Sequence, residues 1–283
     1  MTDERNVALT IDGRPIEVPR GATILDACVA AGIETPTICY GPNLTPVNAC
    51  RVCVVEVEGA RTLVPACSRP AEDGMDVRTD SDRVRHSRRI VLELLATSTD
   101  LSQAPQIESW SERYSADAGR YPPRPDEAAV PVKVQDDLYV RDYDKCVLCY
   151  KCVEACGDDA QFTFAIAVAG RGDDATISTE FDVTLPDSAC VYCGNCIGVC
   201  PTNALQFTTE FDLRSAGDWR PDDQTVTTTI CSYCGVGCNL ELHVQDERIV
   251  KVTSPADHDV TSGHLCIKGR FGWTYLADRR DGT

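Results

Sequence analysis

Two cysteine runs near the middle of the chain constrain its fold more than any other feature. The first covers residues 146–156 and the second residues 190–200. Both have the spacing C-x2-C-x2-C-x3-C, and Pro201 follows the second. Three thiolates on a tight loop can hold three irons of a cubane, whereas the fourth iron needs a ligand from a distant segment. Each run therefore predicts a [4Fe–4S] cluster. Zinc also binds C-x2-C pairs, but it is the weaker alternative for eight cysteines in matched runs.

The spacing and the terminal Cys-Pro resemble the two-cluster bacterial ferredoxins. In that family the fourth cysteine of each run ligates the cluster of the other run. The resemblance implies one cluster on Cys146, Cys149, Cys152 and Cys200, and another on Cys190, Cys193, Cys196 and Cys156. The two halves form an internal repeat. The apolar stretch between them, residues 162–172, is expected to cover the clusters and exclude water.

Composition narrows the class of protein. Across 283 residues the formal net charge is −17, with 27 basic and 44 acidic residues, which argues against a nucleic-acid partner. The polar N-terminus has no signal-peptide core, and no stretch is apolar for long enough to span a membrane. The 17 cysteines fall in cluster spacings, which favours a reducing, cytoplasmic compartment over disulfides.

The N-terminal residues predict a hairpin followed by a helix. Residues 6–18 alternate around the turn signal Asp12-Gly13. Thr23 is a predicted N-cap, and Gly32 closes the short helix that follows. A hairpin and a helix in this order begin a β-grasp fold. Cys28 lies on the apolar side of the helix and is expected to be a small buried hydrophobe.

The next four cysteines, with the spacing C-x10-C-x2-C-x13-C, are Cys39, Cys50, Cys53 and Cys67. Together with the surrounding residues 35–40 and 49–57, they resemble a [2Fe–2S] domain. This domain begins the large iron–sulfur subunits of respiratory complex I, NAD-linked hydrogenases and formate dehydrogenases. The spacing differs from the plant-type C-x4-C-x2-C pattern. The resemblance implies one [2Fe–2S] cluster on these four thiols.

A helix is predicted around residues 88–95 from its apolar spacing. In the resembling family this helix leads into a His-x3-Cys-x2-Cys-x5-Cys site, but no cysteine occurs here between Cys67 and Cys146. That cluster is therefore predicted to be absent, with His86 at the surface or at an interface. Residues 102–135 are expected to be a wrapping linker, rather than a polyproline ligand, with one helical turn around residues 110–114.

A third group of cysteines, with the spacing C-x2-C-x3-C-x27-C, comprises Cys231, Cys234, Cys238 and Cys266. Together with residues 262–272 it resembles the N-terminal [4Fe–4S] segment of molybdenum or tungsten bis-pterin oxidoreductases, and formate dehydrogenases most closely. The resemblance implies that Lys268 lies between this cluster and a pterin; the alternative is an exposed lysine. Residues 240–244 and 248–252 predict an antiparallel strand pair. His258 and His264 are expected to be structural.

The three resemblances together imply an electron-transfer subunit of a formate dehydrogenase. The sequence stops soon after Lys268, where the resembling enzymes continue into their pterin-binding region. A separate subunit is the favoured expectation, and a fragment is the alternative. Bis-molybdopterin guanine dinucleotide with molybdenum or tungsten is expected on a catalytic partner chain. Electrons would pass through the third group, the ferredoxin clusters and the [2Fe–2S] cluster towards a flavin/NAD or ferredoxin partner.

Two other functions stay open. One is the iron–sulfur subunit of an NAD-linked hydrogenase or complex I-like enzyme, against which the missing histidine-ligated site and the Lys268 region argue. The other is a stand-alone polyferredoxin-like carrier. No G-x-G-x-x-G, P-loop, nucleophile elbow or acid–base pair is present, so no nicotinamide site or catalytic residue is predicted on this chain. The four groups use 16 of 17 cysteines.

The predicted fold class is α+β with several domains. The expected division is a [2Fe–2S] β-grasp domain (1–80), a helix and Pro-rich linker (81–139), a two-cluster ferredoxin domain (140–212), a linker (213–226) and a small β-rich [4Fe–4S] segment of a bis-pterin oxidoreductase (227–283).

Overall fold

The computed structural model describes residues 6–122 and 130–275. The chain divides into two compact units. Unit 1 is formed by residues 1–40 and 46–128, and unit 2 by residues 41–45 and 129–283. Both units mix helices and sheets, which confirms the α+β class. The finer division into five segments stays a prediction.

The described part of unit 1 contains one five-stranded sheet and three α-helices. The strands are β1 (Asn6–Ile11), β2 (Arg14–Pro19), β3 (Val54–Val57), β4 (Val64–Pro65) and β5 (Asp76–Arg78), and the helices are α1 (Ile24–Ala30), α2 (Asp82–Ser98) and α3 (Pro105–Arg113). The sheet order is β2-β1-β5-β3-β4, with β1 and β5 parallel and the other pairs antiparallel.

Local sequence signals account for the start of unit 1. The predicted hairpin is confirmed, and Asp12 and Gly13 at its turn both have positive φ, of 48° and 78°. Thr23 caps α1 as predicted, because its hydroxyl accepts from the Asp26 N–H at 3.1 Å while Asp26 accepts from the Thr23 N–H at 2.7 Å. Alternate residues of β1 and one face of α1 then form the core of the unit.

The C-terminal part of unit 1 differs from the sequence prediction. The helix predicted around 88–95 is confirmed as the longer α2, capped by Ser81. The prediction of a linker with one turn is wrong for Pro105–Arg113, which form α3. Ile107 and Trp110 on α3 are buried, so this helix gains stability from apolar burial that a linker lacks. Residues 123–129 of the predicted linker lie outside the described residues.

The described part of unit 2 contains three small sheets and four short α-helices. The strands are β6 (Lys133–Val134), β7 (Tyr139–Arg141), β8 (Ala167–Ala169), β9 (Thr176–Ser178), β10 (Leu205–Phe207), β11 (Thr225–Ile230), β12 (Asn239–Gln245) and β13 (Arg248–Thr253), and the helices are α4 (Lys151–Cys156), α5 (Asn195–Gly198), α6 (Thr208–Ser215) and α7 (Ile267–Phe271). The sheet orders are β10-β7-β6, β8-β9 and β11-β12-β13. The strand pair predicted at 240–252 is confirmed by β12 and β13, with an irregularity at His243/Val244.

Aromatic packing brings helix α7 into the core of unit 2. The Phe271 ring of α7 lies 5.5 Å from the rings of both Tyr139 and Phe207, measured between centroids. These two residues belong to β7 and β10, which pair with each other. Helix α7, which follows the last cysteine of the third group, is therefore packed directly against the paired strands β7 and β10 that flank the two central cysteine runs.

The stretch between the two central runs covers less than predicted. Phe162 is 67% exposed and Phe164 is 59% exposed, so most of residues 162–172 does not shield a buried site. Only Ala165 and Ile166 within this stretch are buried. A loop from earlier in the chain contributes instead, since Leu44 packs against Ala155 and Val199.

Candidate iron–sulfur sites

The first cysteine group lies on two loops of unit 1. Cys39, Cys53 and Cys67 are buried, and Cys50 is half-buried. The Cys50 N–H points to the Cys39 sulfur at 3.4 Å. Arg51, between Cys50 and Cys53, has a φ of 58°, which turns the backbone tightly between these two thiols. The Cys39 thiol and the Cys50 backbone N–H are thus held close together.

The thiols of this group influence one another's pKa values. The Cys39 thiol donates to Cys50 and lowers the pKa of Cys50 to about 6, and the Cys67 thiol donates to Cys53 and lowers the pKa of Cys53 to about 7. The same hydrogen bonds raise the pKa values of Cys39 and Cys67. The charges of Cys53, Cys39 and Cys50 each raise the pKa of Cys67 further. The four predicted ligands are therefore neighbours, as one shared [2Fe–2S] site requires.

The first cavity of unit 2 is lined by four thiols from both central runs, together with Tyr143, Ile177 and Leu205. The four cysteines are Cys146, Cys149, Cys152 and Cys200. They are the quartet predicted for one cluster. The Thr202 hydroxyl, which also lines this cavity, donates to the Lys145 carbonyl at 2.6 Å and so holds the end of the second run against the start of the first.

The second cavity is lined by the other predicted quartet, together with Tyr139, Ile166 and Leu185. Its cysteines are Cys156, Cys190, Cys193 and Cys196. The Tyr139 hydroxyl accepts from the Gly194 N–H at 2.7 Å, which anchors the loop between Cys193 and Cys196 to β7. The structure thus brings together the members of both crossed quartets, and their assignment as cluster ligands stays a prediction.

Matched backbone turns explain how both runs curl around their cavities. Leu148 and Tyr150 in the first run have φ values of 49° and 63°. Tyr192 and Gly194 occupy the corresponding positions of the second run, with φ values of 56° and 70°. The left-handed turn before each short helix directs the three leading thiols to one side. The internal repeat predicted from the cysteine spacing is therefore visible in the backbone.

Burial controls the protonation of these thiols. Burial raises the pKa of Cys146 to about 11 and that of Cys149 to about 12, and the Cys200 charge adds to both shifts. Burial also raises the pKa values of Cys152 and Cys196 well above the usual thiol value. These four thiols are thus neutral at pH 7 without metal, and iron binding would release protons from them.

The third cysteine group lies near the surface of unit 2. Cys231 is buried and Cys238 is half-buried, whereas Cys234 and Cys266 are exposed. The Cys231 N–H donates to the Cys238 carbonyl at 2.7 Å. Burial raises the pKa of Cys238, and the charges of Cys231, Cys266 and Cys234 raise it further, so the four thiols are neighbours. Lys268 is exposed on α7, two residues after Cys266.

The remaining residues considered in the sequence have no place in these groups. Cys28 is fully buried in the core of unit 1, as expected for a small hydrophobe. His86 is exposed, as expected, and pairs with Arg89 at 3.0 Å. The Nδ1 atom of His258 accepts from the Val260 N–H at 3.2 Å. His264 lies 3.4 Å from Asn43, measured between the side-chain nitrogens.

Two buried polar residues beside the second cavity were missed by sequence reasoning. Arg270 is fully buried on α7, and Asn195 is buried between Cys193 and Cys196. Their side chains are 3.2 Å apart although the residues lie 75 positions apart in sequence. No local pattern signals this pairing. The only hint in the sequence is a glycine directly before each of the two residues.

No three His, Cys, Asp or Glu side chains in residues 6–122 and 130–275 form a group that could hold a single metal ion. The candidate sites rest on other observations. These are the cysteine spacing, the thiols that line each cavity of unit 2 and the effects of neighbouring thiols on one another's pKa values.

Three family models match separate parts of the chain. A 2Fe-2S iron-sulfur cluster binding domain matches residues 4–82, a 4Fe-4S dicluster domain matches residues 145–204, and a molybdopterin oxidoreductase Fe4S4 domain matches residues 224–278. This chain is a multidomain iron–sulfur protein. All 16 cysteines predicted as ligands fall inside the three matched segments, which favours iron–sulfur clusters over zinc.

Several curated relatives align along most of this iron–sulfur protein. The alpha subunit of the NADPH-Fe(3+) oxidoreductase of Geobacter sulfurreducens is 36% identical over 95% of the chain and 31% of the relative. A subunit of an NADH-quinone oxidoreductase of Rhizobium meliloti is 34% identical over 98% of the chain and 33% of the relative. A putative formate dehydrogenase of Staphylococcus haemolyticus is 26% identical over 98% of the chain and 32% of the relative. The iron–sulfur protein thus spans about a third of the length of these relatives.

A solved structure shares part of the fold. The crystal structure of an NAD+-reducing [NiFe]-hydrogenase in the H2-reduced state matches with a TM-score of 0.63 and 26% identity, covering 71% of this chain and 87% of that chain. The iron–sulfur character predicted from the cysteines is therefore confirmed. Formate dehydrogenase in particular is not singled out, because the relatives at 36% and 34% identity carry other names. No helix within the described ranges is long and apolar enough to cross a membrane.

Proposed function

We propose that this chain is the electron-transferring iron–sulfur subunit, or portion, of a multi-subunit oxidoreductase. The observation that carries the proposal is the pair of crossed thiol quartets lining two cavities of unit 2. Crossed ligation would hold two clusters at a fixed separation within one small fold. When bound, iron–sulfur clusters accept and donate single electrons. The 16 thiols would hold one [2Fe–2S] and three [4Fe–4S] clusters.

The protein's own contribution is to bind the clusters and to adjust their surroundings. Backbone N–H groups near the thiols, such as that of Cys50 beside the Cys39 sulfur, are placed to donate towards cluster ligands. Cys152 in the first cavity and Cys193 in the second are buried, which keeps water away from one side of each cavity. Hydrogen bonding and exclusion of solvent are the two main means by which a protein sets a cluster's reduction potential.

One finer proposal is that the substrate is formate. It is supported by the matched molybdopterin oxidoreductase Fe4S4 domain and by Lys268, two residues after the fourth cysteine of that segment. A pterin-binding catalytic subunit with bis-molybdopterin guanine dinucleotide and molybdenum or tungsten would then complete the enzyme, and Lys268 would face the pterin. The electron acceptor would be a flavin/NAD or ferredoxin partner, in the reducing cytoplasm.

A second candidate is the iron–sulfur subunit of an NAD-linked hydrogenase or complex I-like enzyme. It is supported by the structural match to the NAD+-reducing hydrogenase and by the relative from Rhizobium meliloti. The comparisons favour it as strongly as formate oxidation. A stand-alone electron carrier is the non-enzymatic alternative. It would be favoured if the chain were isolated without partners as a soluble protein with all its clusters.

Rapid-freeze EPR on the native complex tests these proposals. The complex is purified without oxygen and mixed separately with formate, dihydrogen, NADH or NADPH. Reduction of the cluster signals by one of these donors within seconds is expected, and the effective donor identifies the enzyme class. If dithionite reduces the clusters but none of the four donors does, the chain is not such a subunit. Iron analysis should give about 14 irons per chain, from one two-iron and three four-iron clusters.

The Lys268 assignment has its own test. Lys268→Met should leave the iron content unchanged and slow reduction of the clusters by formate, while Arg248→Met, at an exposed site on β13, should change neither. Equal rates in both variants would remove Lys268 from the proposal.

A further inference from the structure

Arg270 is a buried positive charge beside the second thiol quartet. Its side chain is 0% exposed, on α7. The guanidinium donates to the Val252 carbonyl at 3.1 Å, to the Asn195 side-chain oxygen at 3.2 Å and to the Cys193 carbonyl at 3.5 Å. All three partners are neutral, and none is a carboxylate. The charge itself is therefore uncompensated by any of these contacts.

Burying such a charge is energetically unfavourable. Removing an ion from water carries a desolvation penalty, and hydrogen bonds to neutral groups offset only part of it. Burial lowers the pKa of Arg270, and the groups that oppose this shift when they are negatively charged are Cys193, Tyr139 and Cys196. Thiolates gathered around iron would supply a lasting negative charge at this place. The positive charge of the guanidinium would thus be compensated when a cluster is bound at the second quartet.

The loop around the second quartet is shaped to receive the arginine. Gly194 has a φ of 70°, and a Cβ at this position would lie 2.7 Å from the Arg270 Cγ. A Cβ at Gly198 would lie 3.3 Å from an Arg270 terminal nitrogen. The loop therefore lacks side chains where Arg270 passes. Gly194 and Gly198 therefore leave the space that the buried Arg270 side chain occupies.

Asn195 links this contact to the third cysteine group. Its side-chain oxygen accepts from Arg270 and also from the Leu265 N–H at 2.9 Å. Leu265 directly precedes Cys266, and Asn195 directly precedes Cys196. The hydrogen bond between Leu265 and Asn195 therefore links the third cysteine group to the second quartet, because each residue directly precedes a candidate ligand.

We infer that Arg270 raises the reduction potential of the cluster held by Cys156, Cys190, Cys193 and Cys196, and that with Asn195 it positions this cluster relative to the Cys266 loop. The inference rests on the proposed function only in requiring the clusters to be present. A reduced cluster carries one more negative charge than an oxidised one, so a fixed positive charge nearby favours the reduced form. The low-polarity surroundings of a fully buried guanidinium strengthen this effect.

Redox titration of the full chain with its clusters tests the inference, using mediators and dithionite followed by EPR. The signal of the second quartet is first identified as the one altered by Cys190→Ser. Arg270→Gln should shift the midpoint potential of that signal to more negative values. Arg270→Lys, which keeps the charge, should shift it less. Arg171→Gln, which removes an exposed charge of the same unit, should leave it unchanged.

Asn195→Asp provides a second route if Arg270→Gln fails to hold iron. The carboxylate keeps the shape and the oxygen that accepts both hydrogen bonds while it offsets the Arg270 charge, so it should also lower the potential of the same signal. Wild-type potentials in Asn195→Asp, or in an iron-complete Arg270→Gln, would overturn the inference. Because no substrate or partner is used, this outcome is separate from failure of the proposed enzyme function.

Discussion

Cys152 and Cys156 lie one helical turn apart on α4, yet Cys152 lines the first cavity and Cys156 lines the second. The helix therefore forms part of the wall between the two cavities. The same exchange occurs in the second run, where Cys196 lines the second cavity and Cys200 the first. The quartet to which a thiol belongs therefore depends on the side of this wall that the thiol faces. It does not depend on the cysteine run in which the thiol lies.

The crossed arrangement predicts which variants resemble each other. Cys156→Ser should alter the same EPR signal as Cys190→Ser and leave the signal altered by Cys146→Ser intact, with a loss of about one to four irons per chain. EPR and iron analysis of the three variants measure this. Cys28→Ala is the matched control and should keep the full iron content, because Cys28 lies in the core of unit 1. A Cys156→Ser spectrum that matched Cys146→Ser would contradict the crossing.

Arg88 should be essential for the stability of unit 1. This fully buried side chain donates to the carbonyls of Val52 and Val54 at 3.1 and 3.0 Å and to the Tyr114 hydroxyl at 2.6 Å. Arg88→Met would leave these acceptors without a donor, at about 1–3 kcal/mol for each unsatisfied buried group. The loss is measured by anaerobic urea unfolding followed through tryptophan fluorescence.

Tyr114→Phe is the matched variant for Arg88. It removes only one of the three hydrogen bonds and should lower the free energy of unfolding by about 1.5–3 kcal/mol, the range for bonds to charged groups. Equal losses in the two variants would show that the carbonyl contacts contribute nothing.

Glu210 should hold α6 against β13. It is 2% exposed and accepts from Arg214 at 2.7 Å and from Lys251 at 3.1 Å. Glu210→Gln breaks both ion pairs and should lower the free energy of unfolding by about 3 kcal/mol. Asp212→Asn, on the exposed side of the same helix, should stay within about 0.5 kcal/mol of the wild type. Anaerobic urea unfolding measures both, and a Glu210→Gln value as small as the control would contradict the role.

His243 should make unit 2 sensitive to mild acid. Burial lowers the pKa of His243, and the Lys251 charge lowers it further. The unfolded chain therefore takes up a proton at about pH 6.5, where the folded chain does not yet do so. Stability should be complete above this pH and fall as the pH decreases from there towards the folded-state pKa.

The variant His243→Gln should weaken this pH dependence. Urea midpoints between about pH 8 and pH 5.5, a range around the unperturbed histidine pKa, measure it. Exposed His86 provides the control, since His86→Gln should leave the dependence as in the wild type. An unchanged pH dependence in His243→Gln would exclude His243 as its source.

Short-range signals were sufficient for some elements and not for others. The Asp12-Gly13 turn and the Thr23 cap involve residues within three or four positions, so their sequence was enough to predict them. Helix α3 was missed because Pro105 and its polar neighbours resemble a linker. Its stability depends on buried Trp110, whose indole donates to Glu34, 76 positions earlier, at 3.3 Å. That partner is invisible in a local window.

Residue type and spacing along the chain determined the kind of protein, because thiolates at these intervals are the chemical requirement for holding iron–sulfur clusters. Only the tertiary structure decided which thiols are buried, which other side chains line each cavity and where Arg270 lies. These properties arise from contacts between segments that are distant in sequence, such as Asn195 with Arg270. Burial and nearby charge determine reduction potentials, and both exist only after the chain has folded.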